Sequence, residues 1–374
     1  MPLSDQLQKT FRLAALMATV LVVLIHYRSA DTLGHDLQGG GLQGWGQEWL
    51  VNGVARVAVP LFALAAGCFY FVSFSGSLRD YLQKLSKRVR TVAVPYLLMS
   101  TLAVFSWLAL RYATATPVEA DAAQLATRLL LHPMAEQLWF LRDLMVLVSI
   151  APLLGFFVAR WPAVFLGGLS LLWMTETQPA PIIAGWYLVN NETLLFFCLG
   201  ACLARQPAVL GRLERLTRCS APLAGGLVGL WMGVLAARMV IAPEFDLWYV
   251  QDYTATGLIL QKVGIAIGCV AVLATGGCAA RHAAPQGWWM RLSSDSFFVY
   301  LIHEFPLREA LERAGGMVVP VAWRFWLVAP LAILLSFAAA EAASRWTPTL
   351  VAVLTGGRIP GRVPPSSPAL AGGR

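Results

Sequence analysis

Long runs of apolar residues, separated by short polar or basic segments, dominate the chain. A helix needs about 20 mostly apolar residues to cross the hydrocarbon layer, whereas a barrel strand needs only about ten, with alternating polarity. The runs have the helical length, so they predict an all-α fold, a polytopic transmembrane helical bundle of about ten spans. The predicted spans are residues 12–28, 50–75, 91–112, 138–158, 162–177, 182–204, 221–241, 256–280, 294–311 and 322–345.

Composition agrees with a membrane protein and argues against a soluble one. Of the 374 residues, 58% are hydrophobic and only 13% are charged, and 14 are tryptophans. The net charge of +8 lies on no soluble module with interleaved aromatic residues, which excludes nucleic acid as a predicted partner. The six cysteines match neither a zinc pattern nor a disulfide framework, so no metal site is predicted. The lipid bilayer is the first predicted partner.

Lysines and arginines in the connecting segments predict the orientation. If the N-terminus is cytoplasmic, 18 of the 28 basic residues lie in segments on that side, six lie on the other side and four lie within spans. The positive-inside rule therefore predicts that both termini are cytoplasmic. The first span is expected to be retained, because Arg28 occupies the position where a signal-peptidase site before Ala30 needs a small residue. Residues 351–374, rich in Pro, Gly and Ser, are expected to form a disordered cytoplasmic tail.

Four predicted spans carry ionisable residues near their outer ends. These residues are His26, Arg56, Arg142 and His303. An ionisable side chain at membrane depth costs about 2–4 kcal/mol, so it marks a functional site by default. A shared polar cavity that opens outward explains all four at once.

Several chemistries fit such a cavity. Histidine titrates near neutrality, and it can take a proton from a hydroxyl or carry an acyl group itself. Arginine can bind a carboxylate or a phosphate, or neutralise an oxyanion. Two alternatives need no chemistry: a histidine at a helix end can be an interfacial residue with a solvated ring, and an arginine can snorkel or stabilise the bundle.

Five blocks of sequence follow one another along the chain. They are Arg12 with His26-Tyr27, Arg56-Val-Ala-Val-Pro-Leu-Phe with Gly67, the basic turn Lys87-Arg-Val-Arg, Leu138-Trp-Phe-Leu-Arg-Asp-Leu, and Ser296-Phe-Phe-Val-Tyr-Leu-Ile-His303. In this order they resemble the acyltransferase-3 family of bacterial integral membrane O-acyltransferases, although thirteen residues separate the first-span arginine and histidine where the family commonly has ten. The resemblance covers about residues 9–345, so residues 1–350 are expected to form one acyltransferase-3-like transmembrane domain in the cytoplasmic (inner) membrane.

The resemblance implies transfer of an acyl group, commonly acetyl, from a cytosolic acyl-CoA to a hydroxyl. The acceptor would be an envelope glycan or a lipid-linked saccharide outside the cytoplasm, and no permanently bound cofactor is implied. His26 would act as the catalytic base or as a transient acyl carrier. His303 and Arg142 would line the acceptor side, and Arg56 would brace the site.

The donor would bind at the opposite end of the spans. Arg12 together with the dense basic cluster of Lys84, Lys87, Arg88 and Arg90 is expected to bind its phosphates. The alternative is that this cluster is no more than the positive-inside signal.

A rival function class is a non-enzymatic carrier or exporter of an envelope lipid or saccharide, with the same residues forming a translocation site. Such a transporter is expected to show internal repeats, and the sequence has no recognisable one. A purely structural membrane subunit is disfavoured by the number of ionisable residues within spans.

Overall fold

A computed structural model describes residues 3–28, 41–178, 182–183, 186–242 and 253–358. This part of the chain is almost entirely helical, with one short antiparallel hairpin formed by β1 (Ile182–Ile183) and β2 (Trp186–Tyr187). The first nine helices are α1 (Asp5–His26), α2 (Gly41–Glu48), α3 (Ala58–Val72), α4 (Leu78–Arg88), α5 (Val94–Ala113), α6 (Ala122–Leu130), α7 (Trp139–Ser149), α8 (Ala151–Arg160) and α9 (Pro162–Met174). The others are α10 (Asn191–Arg205), α11 (Pro207–Thr217), α12 (Ala221–Ile241), α13 (Ala255–His282), α14 (Trp288–Ile302), α15 (Leu307–Val318), α16 (Val321–Trp346) and α17 (Pro348–Leu354).

The described chain contains six helical segments long and apolar enough to cross a membrane. Two further segments qualify only as bent pairs: α7 and its preceding turn with α8, bent by 67°, and α10 with α11, bent by 100°. The all-helical membrane class is therefore confirmed, with six to eight candidate spans. The six continuous candidate spans are Asp5–His26, Gly44–Val72, Leu78–Ala113, Ala221–Ile241, Ala255–His282 and Trp323–Trp346.

The expected count of about ten spans is not confirmed, for reasons visible in two segments. Helix α9 has only 13 residues, which is too short to cross the hydrocarbon layer alone. The span expected at 294–311 is broken, because α14 ends at Ile302 and a turn leads through Pro306 into α15. Proline has no amide hydrogen and cannot continue the hydrogen-bond ladder of a helix. Hydrophobic runs in the sequence therefore overcount the continuous spans.

Helix α1 lies at the centre of the bundle, where it packs against α3, α13 and α14. Its N-terminus is capped by Ser4, whose side chain accepts a hydrogen bond from the backbone of Leu7. Helices α3 and α10 cross closely at two glycines, Gly67 and Gly200, where any side chain would meet the backbone of the other helix. This crossing holds α10 against α3, which in turn packs against α1.

The chain between α2 and α3 is irregular, and it directs polar side chains into the bundle. A π-helical turn at Trp49–Gly53 is followed by a 3₁₀ turn at Val54–Val57. Gln261 of α13 donates a hydrogen bond of 2.6 Å to the carbonyl oxygen of Asn52 within this segment. Such π-helical turns are frequent at functional sites because they reorient side chains within a helix.

The C-terminal part of the described chain packs onto the bundle. Helix α17 contacts α5 and α16, and the chain continues to Arg358 beside Thr91. The boundary expected at residue 350 therefore falls inside α17. Residues 359–374, the remainder of the expected tail, lie outside the described residues.

Candidate active site

Two cavities lie at successive positions along α1. We call the first the arginine cavity; it has a volume of about 700 Å³ and is lined by Arg12, Arg88 and Arg358 among others. We call the second the histidine cavity; it has a volume of about 270 Å³ and is lined by His26 and Arg56 among others. Arg12 and His26 are separated by about 21 Å along the helix axis, at 1.5 Å per residue. Helix α1 thus borders both cavities, one near each end.

Three aromatic residues separate the two cavities and line both of them. These are Phe62 of α3, Phe140 of α7 and Tyr300 of α14. The ring centroids of Phe62 and Phe140 lie 6.1 Å apart, and those of Phe140 and Tyr300 lie 6.3 Å apart. We call this group the aromatic partition. The hydroxyl of Tyr300 donates a hydrogen bond to the carbonyl oxygen of Gln137, which fixes one side of the partition.

Of the two histidines that the sequence singled out, His26 is the one that lines the histidine cavity. It is the last residue of α1, and its ring meets that of His303 edge-to-face with centroids 5.0 Å apart. No hydrogen bond joins the His26 ring to the described part of the chain. Both ring nitrogens are therefore available to a ligand in the cavity, as a general base or a nucleophile requires.

His303 lies behind His26 and does not line the histidine cavity. It is completely buried, and its Nδ1 lies 2.9 Å from the carbonyl oxygen of Tyr300. A carbonyl can only accept, so Nδ1 carries the proton and the buried Nε2 is left with a lone pair and no partner in the described chain. The hydroxyl of Tyr27 donates to the carbonyl oxygen of His303 at 2.8 Å. The geometry suits a residue that orients His26 better than one that contacts a substrate.

Arg56 lines the histidine cavity and is held by a chain of buried polar groups. Its Nη2 donates to Oδ1 of Asn52 at 2.5 Å, and Nδ2 of Asn52 donates to Oε2 of Glu48 at 2.7 Å. Nη1 of Arg238 in turn donates to Oε1 of Glu48 at 2.9 Å. Asn52, Glu48 and Arg238 are each at most 2% exposed. Buried ionic groups need such pairing, and the chain fixes the position of Arg56.

Arg142 does not line the histidine cavity but supports its wall. Its guanidinium pairs with Asp143 at 2.7 Å and lies 4.9 Å from the ring centre of Tyr187 and 6.0 Å from that of Trp186. The second carboxylate oxygen of Asp143 accepts a hydrogen bond of 2.8 Å from the backbone of Asn190, at the start of α10. This ion pair therefore ties the β-hairpin and α10 to α7.

Aromatic rings form one wall of the histidine cavity. His132, Trp186 and Tyr187 all line it, and the rings of His132 and Trp186 are stacked with centroids 4.0 Å apart. Burial lowers the pKa of His132, so its ring is uncharged at neutral pH. Burial raises the pKa of Tyr187 to about 12, so its hydroxyl keeps its proton. We call these three residues the aromatic wall.

Two carboxylates that the sequence did not single out, Glu136 and Glu192, also line the histidine cavity. Glu192 is 5% exposed, and its Oε2 accepts a hydrogen bond of 2.9 Å from the indole nitrogen of Trp173. Glu192 lies in the first turn of α10, inside the predicted span 182–204, so the cost of an ionisable group at membrane depth was a signal that could have found it. Among the described residues, no group of three or more His, Cys, Asp or Glu side chains could hold a metal ion.

The arginine cavity collects positive charge from three distant parts of the chain. Among the described residues that line it, three are arginines and none is acidic. Arg12 and Arg88 were expected to bind donor phosphates, whereas Arg358 was not recognised because it lies in the expected tail. The other three residues expected to bind the acyl donor, Lys84, Lys87 and Arg90, do not line the cavity. Lys84 instead donates a hydrogen bond of 2.7 Å to the hydroxyl of Ser73.

The family model for an acyltransferase domain, Acyl_transf_3, matches residues 16–341. The succinoglycan biosynthesis protein ExoH of Rhizobium meliloti (strain 1021) is 26% identical over 357 residues, which cover 90% of this chain and 89% of that protein. No solved structure matches the chain significantly.

The family match covers most of the chain, including His26, Arg56, Arg142 and His303. It therefore favours an enzyme over the carrier and the structural subunit that the sequence had left open. With six to eight candidate spans around the two cavities, this chain belongs to the acyltransferase-3 family and is a membrane acyltransferase.

Proposed function

We propose that this protein transfers an acyl group, acetyl in the simplest case, from acyl-CoA to a hydroxyl of an envelope glycan or lipid-linked saccharide. The observation that carries the proposal is the arrangement of the two cavities: an arginine-lined one and a histidine-lined one meet at the aromatic partition. Acyl transfer needs a charged donor and a deprotonated acceptor at one reacting centre. The two cavities supply one environment for each.

The arginine cavity suits the donor. CoA carries several phosphates, and arginine binds phosphate oxygens through two parallel charge-assisted hydrogen bonds. Arg12 and Arg88 make no hydrogen bond or ion pair within the described chain, so their charges are available to a ligand. The basic segments lie at this end of α1, and the positive-inside rule supports an orientation in which the cavity faces the cytosol, where acyl-CoA is found.

The histidine cavity suits the acceptor. The aromatic wall offers ring faces on which the apolar face of a sugar can pack, and Glu136 and Gln137 offer polar atoms for its hydroxyls. The name of ExoH associates that relative with succinoglycan biosynthesis, which supports a glycan as the acceptor. This cavity lies toward the extracytoplasmic side in the proposed orientation.

The chemistry can be written from the residues that line the histidine cavity. His26 takes the proton of the acceptor hydroxyl while the oxygen attacks the thioester carbonyl carbon. Arg56 stabilises the negative charge that develops on the carbonyl oxygen. The carbon–sulfur bond then breaks, and the CoA thiolate recovers the proton from the His26 imidazolium. Alternatively His26 first accepts the acyl group itself and passes it to the hydroxyl, with the same overall balance.

The aromatic partition lies between donor and acceptor. The acyl end of the donor must pass Phe62, Phe140 and Tyr300 to reach His26, and their apolar faces suit the apolar part of a thioester. Exclusion of water at this point protects the thioester from hydrolysis.

The test is acyl transfer by the purified protein in detergent or nanodiscs. Acetyl-CoA labelled in the acetyl group is supplied with extracted envelope glycans, and label is followed into glycan and into protein. Wild type is compared with His26→Ala and with His282→Ala, which removes an exposed histidine in the last turn of α13. We expect transfer by wild type and His282→Ala, and a loss of at least about a hundredfold in His26→Ala.

Each other result has a distinct meaning. Label that remains on wild-type protein after denaturation, and is absent in His26→Ala, selects the acyl-carrier route over direct transfer. Full transfer by His26→Ala removes His26 from the chemistry. No release of CoA and no labelled product with wild type, over a range of glycan fractions, contradicts the proposed donor and acceptor classes.

A further inference from the structure

Arg358 lies near the C-terminal end of the described chain, outside the segment 16–341 that the family model matches. It nevertheless lines the arginine cavity together with Arg12 and Arg88. A C-terminal segment thus contributes to a cavity whose other lining residues lie in the matched segment, apart from Arg12 and Ala15 just before it and Gly357 beside Arg358.

The position of Arg358 is fixed by specific contacts. Its Nη1 donates to the carbonyl oxygens of Thr91 at 3.1 Å and Thr355 at 3.3 Å. Its guanidinium carbon lies 4.1 Å from the ring centre of Phe297, which also lines the cavity. Nε and Nη2 donate no hydrogen bond within the described chain and remain for a ligand.

The backbone that leads to Arg358 is shaped for this close approach. Gly356 has a φ of +64°, in the region that favours glycine. A Cβ atom there would lie 2.7 Å from the carbonyl oxygen of Arg90 and nearer still to the backbone of Thr91. The turn after α17 therefore sits directly on the chain between α4 and α5, and it directs Arg358 into the cavity.

A second feature of the cavity independently points to a polar ligand. Ser296 lines the cavity and is 8% exposed, yet its hydroxyl has no hydrogen-bond partner in the described chain. A buried hydroxyl without a partner is costly, because it has lost its water and gained nothing. Together with three arginines and no acidic neighbour among the described lining residues, this hydroxyl indicates that the cavity is completed by an anionic ligand.

We propose that Arg358 binds a phosphate group of the CoA donor, alongside Arg12 and Arg88, so that the C-terminal segment 355–358 forms part of the donor site. The inference rests on the proposed function, because it takes acyl-CoA as the donor. Burial, and then the neighbouring Arg88, lower the pKa of Arg358 to about 10, which leaves the guanidinium charged at neutral pH. The site therefore presents three positive charges to one polyanionic ligand.

The experiment measures binding of CoA itself, without turnover, by calorimetry on the full-length protein. The variants are Arg358→Ala, Arg358→Lys and, as a matched control, Arg345→Ala, which removes an exposed arginine paired with Glu341. We expect Arg358→Ala to raise the Kd of CoA about ten- to a hundredfold, as expected for the loss of a charged hydrogen bond. Arg358→Lys is expected to lie between, and Arg345→Ala to match wild type.

A salt series separates a phosphate contact from a structural role. Removal of a contact between charges makes the Kd depend less steeply on salt concentration, so the slope for Arg358→Ala is expected to be shallower than for wild type. A weaker Kd with an unchanged slope would mean that Arg358 shapes the cavity wall and contacts no phosphate, which overturns the inference. Equal Kd values for wild type and Arg358→Ala overturn it as well. If wild-type protein fails to bind CoA, the proposed function is refuted instead, and the wild-type measurement alone shows this.

Discussion

The close crossing of α3 and α10 allows a sharp test of the architecture with a single methyl group. A Cβ atom on Gly200 of α10 would lie 2.6 Å from the backbone nitrogen of Cys68 and nearer still to the carbonyl oxygen of Leu64. Ordinary contacts of a Cβ begin at 3.4 Å. Because the opposing atoms belong to the backbone of α3, no side chain can rotate away. In Gly200→Ala the two helices must separate.

The magnitude follows from two opposing terms. Alanine gains about 1 kcal/mol over glycine in a helix. Overpacking costs about 1–3 kcal/mol, and the upper end applies here since backbone meets backbone. The expected net destabilisation of Gly200→Ala is about 2 kcal/mol, which lowers Tm by about 2–3 °C for a chain of 374 residues. Gly229→Ala in α12 is the matched control, because no atom lies within 4 Å of its added Cβ; there the helix gain stands alone and Tm is expected to stay constant or rise.

Tryptophan fluorescence during thermal unfolding in detergent gives the two Tm values, and the acyl-transfer assay gives the functional effect. Transfer by Gly200→Ala is expected to fall as well, since α10 begins at the wall of the histidine cavity and α3 carries Phe62 of the partition. An unchanged Tm for Gly200→Ala, or an equal loss in both variants, would refute the packing of α3 on α10.

Three further predictions address the histidine cavity and its supports. Asn52→Leu removes the hydrogen bond that Arg56 donates to Asn52. It is expected to lower kcat at least about tenfold and to leave the Kd of CoA unchanged. A raised Kd of CoA would contradict a role limited to the histidine cavity. Trp186→Ala removes a ring of the aromatic wall and is expected to raise KM for the glycan. The control Trp288→Ala removes an exposed ring and is expected to change neither KM nor kcat. Equal KM values for wild type and Trp186→Ala would argue against packing of a sugar on the aromatic wall. Glu48→Gln weakens the buried polar chain that links Arg238 to Arg56, and it is expected to destabilise the protein by about 3 kcal/mol, measured as a lower Tm. A Tm equal to that of wild type would show that this chain adds nothing to stability.

The sequence predicted the class of the fold because its signals are local. A run of about 20 apolar residues forms a membrane helix in nearly every sequence context, because few other structures can bury it. The cost of an ionisable group at membrane depth is likewise a property of the span that carries it, which is why the sequence by itself was enough to single out His26 and Arg56. Both line the histidine cavity.

The number of spans could not be predicted in the same way. Hydrophobic length does not reveal where a helix breaks. It passes over Pro306, which cannot continue the helical hydrogen-bond ladder, and over the 67° bend between α7 and α8. The structure therefore has six to eight candidate spans where the sequence suggested about ten.

The grouping of side chains was decided by the tertiary structure alone. His303 lies behind His26, and Arg142 supports the aromatic wall from outside the cavity, although hydropathy gave both the same weight as His26. Arg358, from the other end of the chain, lines the same cavity as Arg12. Gly356 and Gly357 mark a turn after α17 in the sequence, but only the packed structure shows that this turn lies against Thr91. Apolar length and charge cost are fixed residue by residue, whereas proximity between distant residues arises only when the helices pack, and in this protein that packing makes two cavities from residues spread over the whole chain.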